Sequence, residues 1–222
     1  RMKTELITNV SHDLKTPLTA IITYVDLLKK EEDPGKQKEY VEVLEKKSQR
    51  LKVLIEDLFE ISMAGSGNVK LELMDVDVVN LFKQVKLELE DKIKKADLDF
   101  RCGYPEEKLT VRLDSQKTYR IFENLLVNIV KYAMPHTRVF IEILREDDQA
   151  VIRMKNISEQ ELNIQGQELT ERFVRGDAAR NTEGAGLGLA IVKSFVELQG
   201  GEFGIEIDGD LFKTQVRFRD LC

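Results

Sequence analysis

Three groups of residues in this chain have types and spacing that suit chemistry. The first is Asn9-Val10-Ser11-His12-Asp13-Leu14-Lys15-Thr16-Pro17-Leu18. A neutral imidazole is a nucleophile near neutral pH, with a reference pKa of about 6.5. Asp13, directly after His12, can hold the ring and take its proton, the usual way of activating a weak nucleophile. The second group is Asn124, Asn128, Lys131 and Tyr132, spaced four, three and one apart. On a helix this spacing puts two amides, a cation and an aromatic edge on one face. Amide oxygens suit Mg²⁺, a lysine suits a phosphate, and a tyrosine can cover a base. The third group is the glycine-rich run Gly184-Ala185-Gly186-Leu187-Gly188, which opens a late helix. Glycines at alternate positions let backbone N–H groups approach phosphate oxygens at a helix N-terminus. The run is neither a P-loop nor a dinucleotide fingerprint. Phe173 and Arg175 lie just before it.

These groups need elements to position them. Apolar residues at Leu6, Val10, Leu14, Pro17/Leu18, Ile21, Val25 and Leu28 recur every three or four positions and predict a first helix running to about Glu31. His12, Lys15, Thr16, Thr19, Thr23 and Asp26 fall on its opposite, polar side. Pro17 lies inside the pattern and frees the carbonyl of Asp13. Asp33-Pro34-Gly35 reads as a turn, followed by a second helix from about Lys36. Two such helices cannot bury both apolar faces alone, so pairing with a second copy into a four-helix bundle is expected. Residues 1–66 form this hairpin domain, and 67–222 a second domain beyond a short Gly-Ser link.

In the second domain the pattern predicts a strand over 70–74, a helix over 76–95 and strands over 98–101 and 109–113. Asp114 is placed to cap a helix over 115–134. A hairpin of 137–146 with 149–156, a helix over 186–199 and strands over 202–207 and 211–218 follow. The class is α+β: a helical hairpin, then a two-layer sandwich with a mostly antiparallel sheet.

Composition closes off other readings. A net charge of −6 speaks against a general nucleic-acid binder. Cys102 and Cys222 are too few and too far apart for a disulfide scaffold or a metal cage. No apolar run reaches the length of a membrane span, and no signal peptide is visible. The sequence opens inside a helical pattern and reads as a soluble piece of something longer.

Taken together, the motifs resemble the catalytic core of a sensor histidine kinase of a two-component system. Ser11 to Leu18 is similar to the family's H box, Asn124 to Tyr132 to its N box, Phe173-Val174-Arg175 to its F box, and Gly184 to Gly188 to its G2 box. The resemblance implies a dimeric histidine-phosphotransfer hairpin followed by a Bergerat-type ATP-binding sandwich, with ATP and Mg²⁺ as cofactors. It implies that His12 accepts the γ-phosphoryl group with Asp13 as acid–base partner. Asn128 and Asn124 hold Mg²⁺, Lys131 and Arg175 contact phosphates, and Tyr132 packs near the adenine. Residues 160–183 form a lid. Phe173 and the segment Gly184, Gly186, Leu187, Gly188 complete the nucleotide site. The expected partners are a second copy of the chain and an aspartate-bearing response regulator, on the cytoplasmic side of a membrane-anchored bacterial sensor. Asp13 and Thr16 also match the family's phosphatase pattern, so an opposing activity is expected.

One motif departs from the family. Where it has Asp-x-Gly-x-Gly, this chain reads Asn156-Ile157-Ser158-Glu159-Gln160. Asn156 keeps an amide oxygen that can accept the adenine amino hydrogen bond without the charge. Ser158 replaces the first glycine and is expected to crowd the site and weaken ATP binding. Two rival readings follow: a pseudokinase scaffold, or an enzyme dominated by phosphatase activity. His136, in the turn after the asparagine helix, reads as structural.

Overall fold

The computed structural model describes residues 2–64, 70–162 and 187–219. Its first element is α1 (Met2–Leu28), which continues through Pro17, and its second is α2 (Pro34–Ala64). Together they make the expected hairpin. The turn is tighter than the sequence suggested. Pro34 and Gly35 are already helical, and Asp33 is the residue before the helix; its carboxylate accepts from the Gly35 N–H at 2.7 Å. This suits both residues, because proline lacks the N–H that a first helical turn leaves unpaired. An edge-on contact between Tyr24 and Tyr40, 5.6 Å between ring centroids, closes the hairpin near its turn. Lys15, Thr16, Thr19, Thr23 and Asp26 are exposed, as their helical phase requires, and Pro17 is buried. Leu18, expected on the inner face, is exposed instead, as is Ile22 one turn on.

The second part is a two-layer sandwich. It comprises β1 (Leu73–Asp77), α3 (Val78–Glu88), α4 (Glu90–Lys95), β2 (Asp99–Gly103), β3 (Thr110–Asp114), α5 (Ser115–Tyr132), β4 (Arg138–Glu146), β5 (Gln149–Ile157), α6 (Leu187–Leu198), β6 (Glu202–Asp208) and β7 (Leu211–Phe218). Strands β1 and β3 pair as a small antiparallel ribbon, and the main sheet runs β2-β4-β5-β7-β6. Only the β2–β4 pair is parallel. One face of the main sheet carries Val139, Ile141, Ile143, Ile152, Met154, Val216 and Phe218, all buried beneath the helices. The other face meets water and is laced with cross-strand ion pairs such as Arg153–Glu146 at 2.6 Å and Lys213–Glu206 at 2.8 Å. This alternation is the period-2 pattern of a sheet with one wet face.

Three boundaries differ from the sequence reading. Val76 and Asp77 belong to β1, not to the helix, because the Asp77 side chain caps α3 by accepting from the Asn80 N–H at 3.0 Å. The single helix expected over 76–95 breaks at Leu89, whose backbone leaves helical geometry (φ −95°, ψ 5°) while its side chain stays buried. Helix α5 ends at Tyr132, because Met134 N–H turns to bond the Ile157 carbonyl at 2.9 Å.

The expected cap at Asp114 is present. One of its oxygens accepts from Gln116 and Lys117 N–H at 3.1 and 3.0 Å, and the other from Glu72 N–H at 3.1 Å. Its own N–H donates to Gln199 Oε1 at 2.8 Å, so the end of α6 is tied to the start of α5. Asp114→Ala removes a cap and leaves part-buried donors unpaired. It should lower the unfolding free energy by about 1–2 kcal/mol in urea titration. Asp114→Asn, which keeps one acceptor oxygen, should lose less.

Candidate active site

The site is built where α5 meets α6. The two helices pack antiparallel, and several contacts fix their register. Near the start of α5, Thr118 Oγ1 reaches Gln199 Oε1 at 3.3 Å and Lys117 Nζ lies 4.8 Å from the Phe195 ring centroid. Further along, the Asn124 amide lies against Gly188: a Cβ there would sit 2.9 Å from Asn124 Oδ1. A side chain at Gly188 would therefore have to push the Asn124 amide aside. The Asn124 Nδ2 group donates back to the Arg120 carbonyl at 2.8 Å, which aims the amide oxygen at α6. Arg120 is itself held by Glu123 at 2.7 Å.

Helix α5 runs on for eight residues past Asn124, about 12 Å at the helical rise. Asn128, Lys131 and Tyr132, all half-buried, thus extend beyond the N-terminus of α6. The first N–H groups of α6 have no partners within the helix, and its dipole leaves that end partly positive. A polyanion there would meet N–H groups, two amide oxygens and a lysine together. Lys131 Nζ lies over the Tyr132 ring, 4.8 Å from its centroid. The two side chains that sequence assigned to phosphate and base therefore touch each other.

A second wall comes from the end of β5. Asn156 is 4% exposed and shares the inward face of β5 with Ile152 and Met154. Its Nδ2 donates to the Ile157 carbonyl at 3.3 Å. The next residues are clamped onto the end of α5: Ala133 and Ser158 form an isolated bridge, and Glu159 N–H bonds the Tyr132 carbonyl at 2.9 Å. Ser158 is buried, and its N–H bonds the Asp210 carbonyl at 2.8 Å. The backbone of Ser158 is thus tied into the fold, and the clamp brings Asn156 and Tyr132 to the same end of the sandwich.

Asn124 and Asn128 offer two neutral oxygens, and no cluster of three His, Cys, Asp or Glu stands among the described residues. Such a donor set fits Mg²⁺, which keeps several waters and shares substrate phosphates. Of the remaining expected residues, Phe173, Arg175, Gly184 and Gly186 lie outside the described residues. Leu187 is the first residue of α6. His12 and Asp13 lie on the continuous backbone of α1, their side chains outside the described ones, and Thr16 is exposed one turn later. His136 stands apart from the site: its Nδ1 pairs with Asp97 at 2.8 Å, both residues in left-handed backbone. Sequence reading missed the role of Arg120, and those of Gln199 and Ser158, whose contacts are long-range or backbone-mediated.

Comparison with known proteins agrees with this geometry. Residues 2–67 match the His Kinase A (phospho-acceptor) domain, and residues 113–219 the histidine kinase-, DNA gyrase B- and HSP90-like ATPase family. The sensor protein VanSC of Enterococcus gallinarum is 31% identical over 97% of this chain, which spans 60% of VanSC. Among solved structures, ShkA in complex with AMPPNP superposes with a TM-score of 0.71 at 20% identity, over 99% of this chain and 46% of that one. ThkA in complex with the response regulator protein TrrA gives 0.76 at 21% identity, over 97% of this chain and 61% of that one. No helix among the described residues is long and apolar enough to cross a membrane. With a phospho-acceptor hairpin and an ATPase sandwich matched in the same order, the chain belongs to the sensor histidine kinases of two-component systems and constitutes their catalytic core.

Proposed function

We propose that this core transfers the γ-phosphoryl group of ATP to His12 and then to an aspartate of a response regulator. The observation that carries the reading is the α5–α6 junction, where Asn124 meets Gly188 and α5 projects Asn128, Lys131 and Tyr132 past a helix N-terminus. Phosphoryl transfer depends on positioning and charge neutralisation more than on covalent help from the protein. Asn124 and Asn128 hold Mg²⁺, which when bound neutralises charge on the phosphates. Lys131 and Arg175 add cations, and the backbone of Gly184, Gly186, Leu187 and Gly188 donates N–H groups. Tyr132 and Phe173 flank the base, and Asn156 accepts from its amino group. In the reaction a His12 nitrogen bonds phosphorus as the P–O bond to ADP breaks, and Asp13 takes the imidazole proton.

The hairpin is the platform for this transfer and for a homodimer through residues 1–64. Leu18, Ile22, Val41, Ile55 and Phe59 are exposed along it, an apolar surface a single copy leaves in water. The domains divide at 66/67. The parent protein is a bacterial membrane sensor with this core in the cytoplasm; its relative VanSC is a sensor protein and ThkA is seen with a response regulator.

Incubation with γ-labelled ATP and Mg²⁺ should give acid-labile label on the wild type and none on His12→Gln. Absence of label on the wild type would favour a pseudokinase scaffold. Asn156→Ala should weaken binding of a non-hydrolysable ATP analogue severalfold in calorimetry, with a melting curve checking the fold. Asn156→Asp should strengthen that binding, because a charged acceptor makes a stronger hydrogen bond. Asp13 and the exposed Thr16, three residues apart on one continuous helix, also suit the positioning of a water against a phosphorylated regulator. Release of phosphate from such a regulator should fall at least tenfold in Thr16→Ala while labelling of His12 persists.

A further inference from the structure

Helix α5 is flanked on one side by α6 and on the other by α3. On the α3 side, away from the nucleotide site, a cleft of about 260 Å³ opens between α3–α4 and the edge strand β2. Its apolar lining is Ile93, 8% exposed, with the half-buried rings of Phe100 and Tyr104 and the exposed Leu87 at its edge. The rim is cationic. Lys83 Nζ lies 4.6 Å from the Tyr104 ring centroid and Lys86 Nζ 6.0 Å from that of Phe100. Lys94 also lines the cleft and is paired with Glu90 at 2.9 Å. Among the described residues neither Lys83 nor Lys86 has a carboxylate partner. Three ammonium groups against one carboxylate stand out on a chain whose net charge is −6.

The walls are preformed. The Tyr104 ring contacts Phe82 at 6.4 Å between centroids, and Phe82 packs edge-on against Phe122 of α5 at 5.5 Å. Phe82 and Phe122 are fully buried, so the Tyr104 ring rests on the rigid core. Burial holds the Tyr104 hydroxyl above its usual pKa, with a hydrogen bond to Cys102 adding to the effect, so no phenolate opposes an anion. An apolar floor with fixed aromatic walls and a few convergent charges is the ordinary anatomy of a small-ligand site.

We propose that this cleft binds a small amphiphilic anion, with an acyl or aryl body between Phe100 and Tyr104 and a carboxylate or phosphate head at Lys83 and Lys86. The site stands independently of the nucleotide reading. Lys83 and Lys86 act as point charges, so the head group is selected by charge rather than by shape.

The test is titration of the 222-residue chain with decanoate, followed by NMR of aromatic and methyl resonances. Saturable shifts centred on Ile93, Phe100 and Tyr104 are expected. 1-Decanol and decyltrimethylammonium, which share the chain but not the anion, should bind at least tenfold more weakly. Lys83→Glu with Lys86→Glu should weaken decanoate at least tenfold without changing the melting curve, and the paired Gln variant should fall between. A non-hydrolysable ATP analogue with Mg²⁺ should leave the decanoate shifts in place. Shifts confined to the hairpin, equal binding of 1-decanol, displacement by the ATP analogue, or unchanged affinity in the double variant each overturn the proposal.

Discussion

The close approach of α5 to α6 is the constraint on which the rest of this catalytic core depends. It is anchored at both ends by different chemistry. At one end Gln199 accepts from the Asp114 N–H and the Thr118 hydroxyl while donating to its own helix at Phe195. At the other, Gly188 lets the Asn124 amide come close enough that a methyl group would clash. Between these points the helices bury Ile121, Leu125, Ile191 and Phe195. Interiors packed to crystal-like density do not deform continuously, so one added methyl at Gly188 must displace the amide or the helix. Placement of Asn128 relative to the N-terminus of α6 follows from this register.

Asp114 extends the same constraint outward. Its carboxylate caps the helix that carries both asparagines and also holds the backbone at Glu72, directly before β1. A buried acceptor with three N–H partners is well satisfied, and removing it strands all three. The backbone just before β1 and the asparagine helix are thereby fixed to one side chain. On the opposite flank of α5, Phe122 and Phe82 pass the core through to Tyr104.

Much of this was legible in the sequence because it depends on local rules. The 3.6-residue period located α1 and α2, the Asn124–Asn128–Lys131 spacing put three polar side chains along α5, and Asp114 ahead of Ser115 announced its cap. Asp33 and Asp77 show where local rules mislead. Each precedes an apolar periodic run, yet the exact helix start is set by which N–H its carboxylate accepts. The glycine run was read for its approach to phosphate, whereas Gly188 is required first by a side chain 64 positions earlier in the chain. Contacts of that kind leave no periodic trace. The same holds for Ser158, whose backbone bonds join β5 to Asp210 and to the end of α5. The residue is buried, and its backbone N–H, which any residue but proline would carry here, makes the tie.

Asn156 brings the physics of fold and site into opposition. It sits 4% exposed on the inward face of β5, beside Met154 and beneath the helices. Ion pairs of the main sheet lie on its other face, so a carboxylate at this position would be desolvated far from the Arg153 and Lys155 cations. Burying an unpaired charge costs several kcal/mol at the order-of-magnitude level, whereas a hydrogen-bonded amide is tolerated. A neutral acceptor therefore stabilises the nucleotide-free sandwich. The same neutrality would weaken the proposed hydrogen bond from an adenine amino group, since charge-assisted bonds are roughly twice as strong as neutral ones. Ser158, buried and bonded through its N–H to the Asp210 carbonyl, ties the next residues into the same fold.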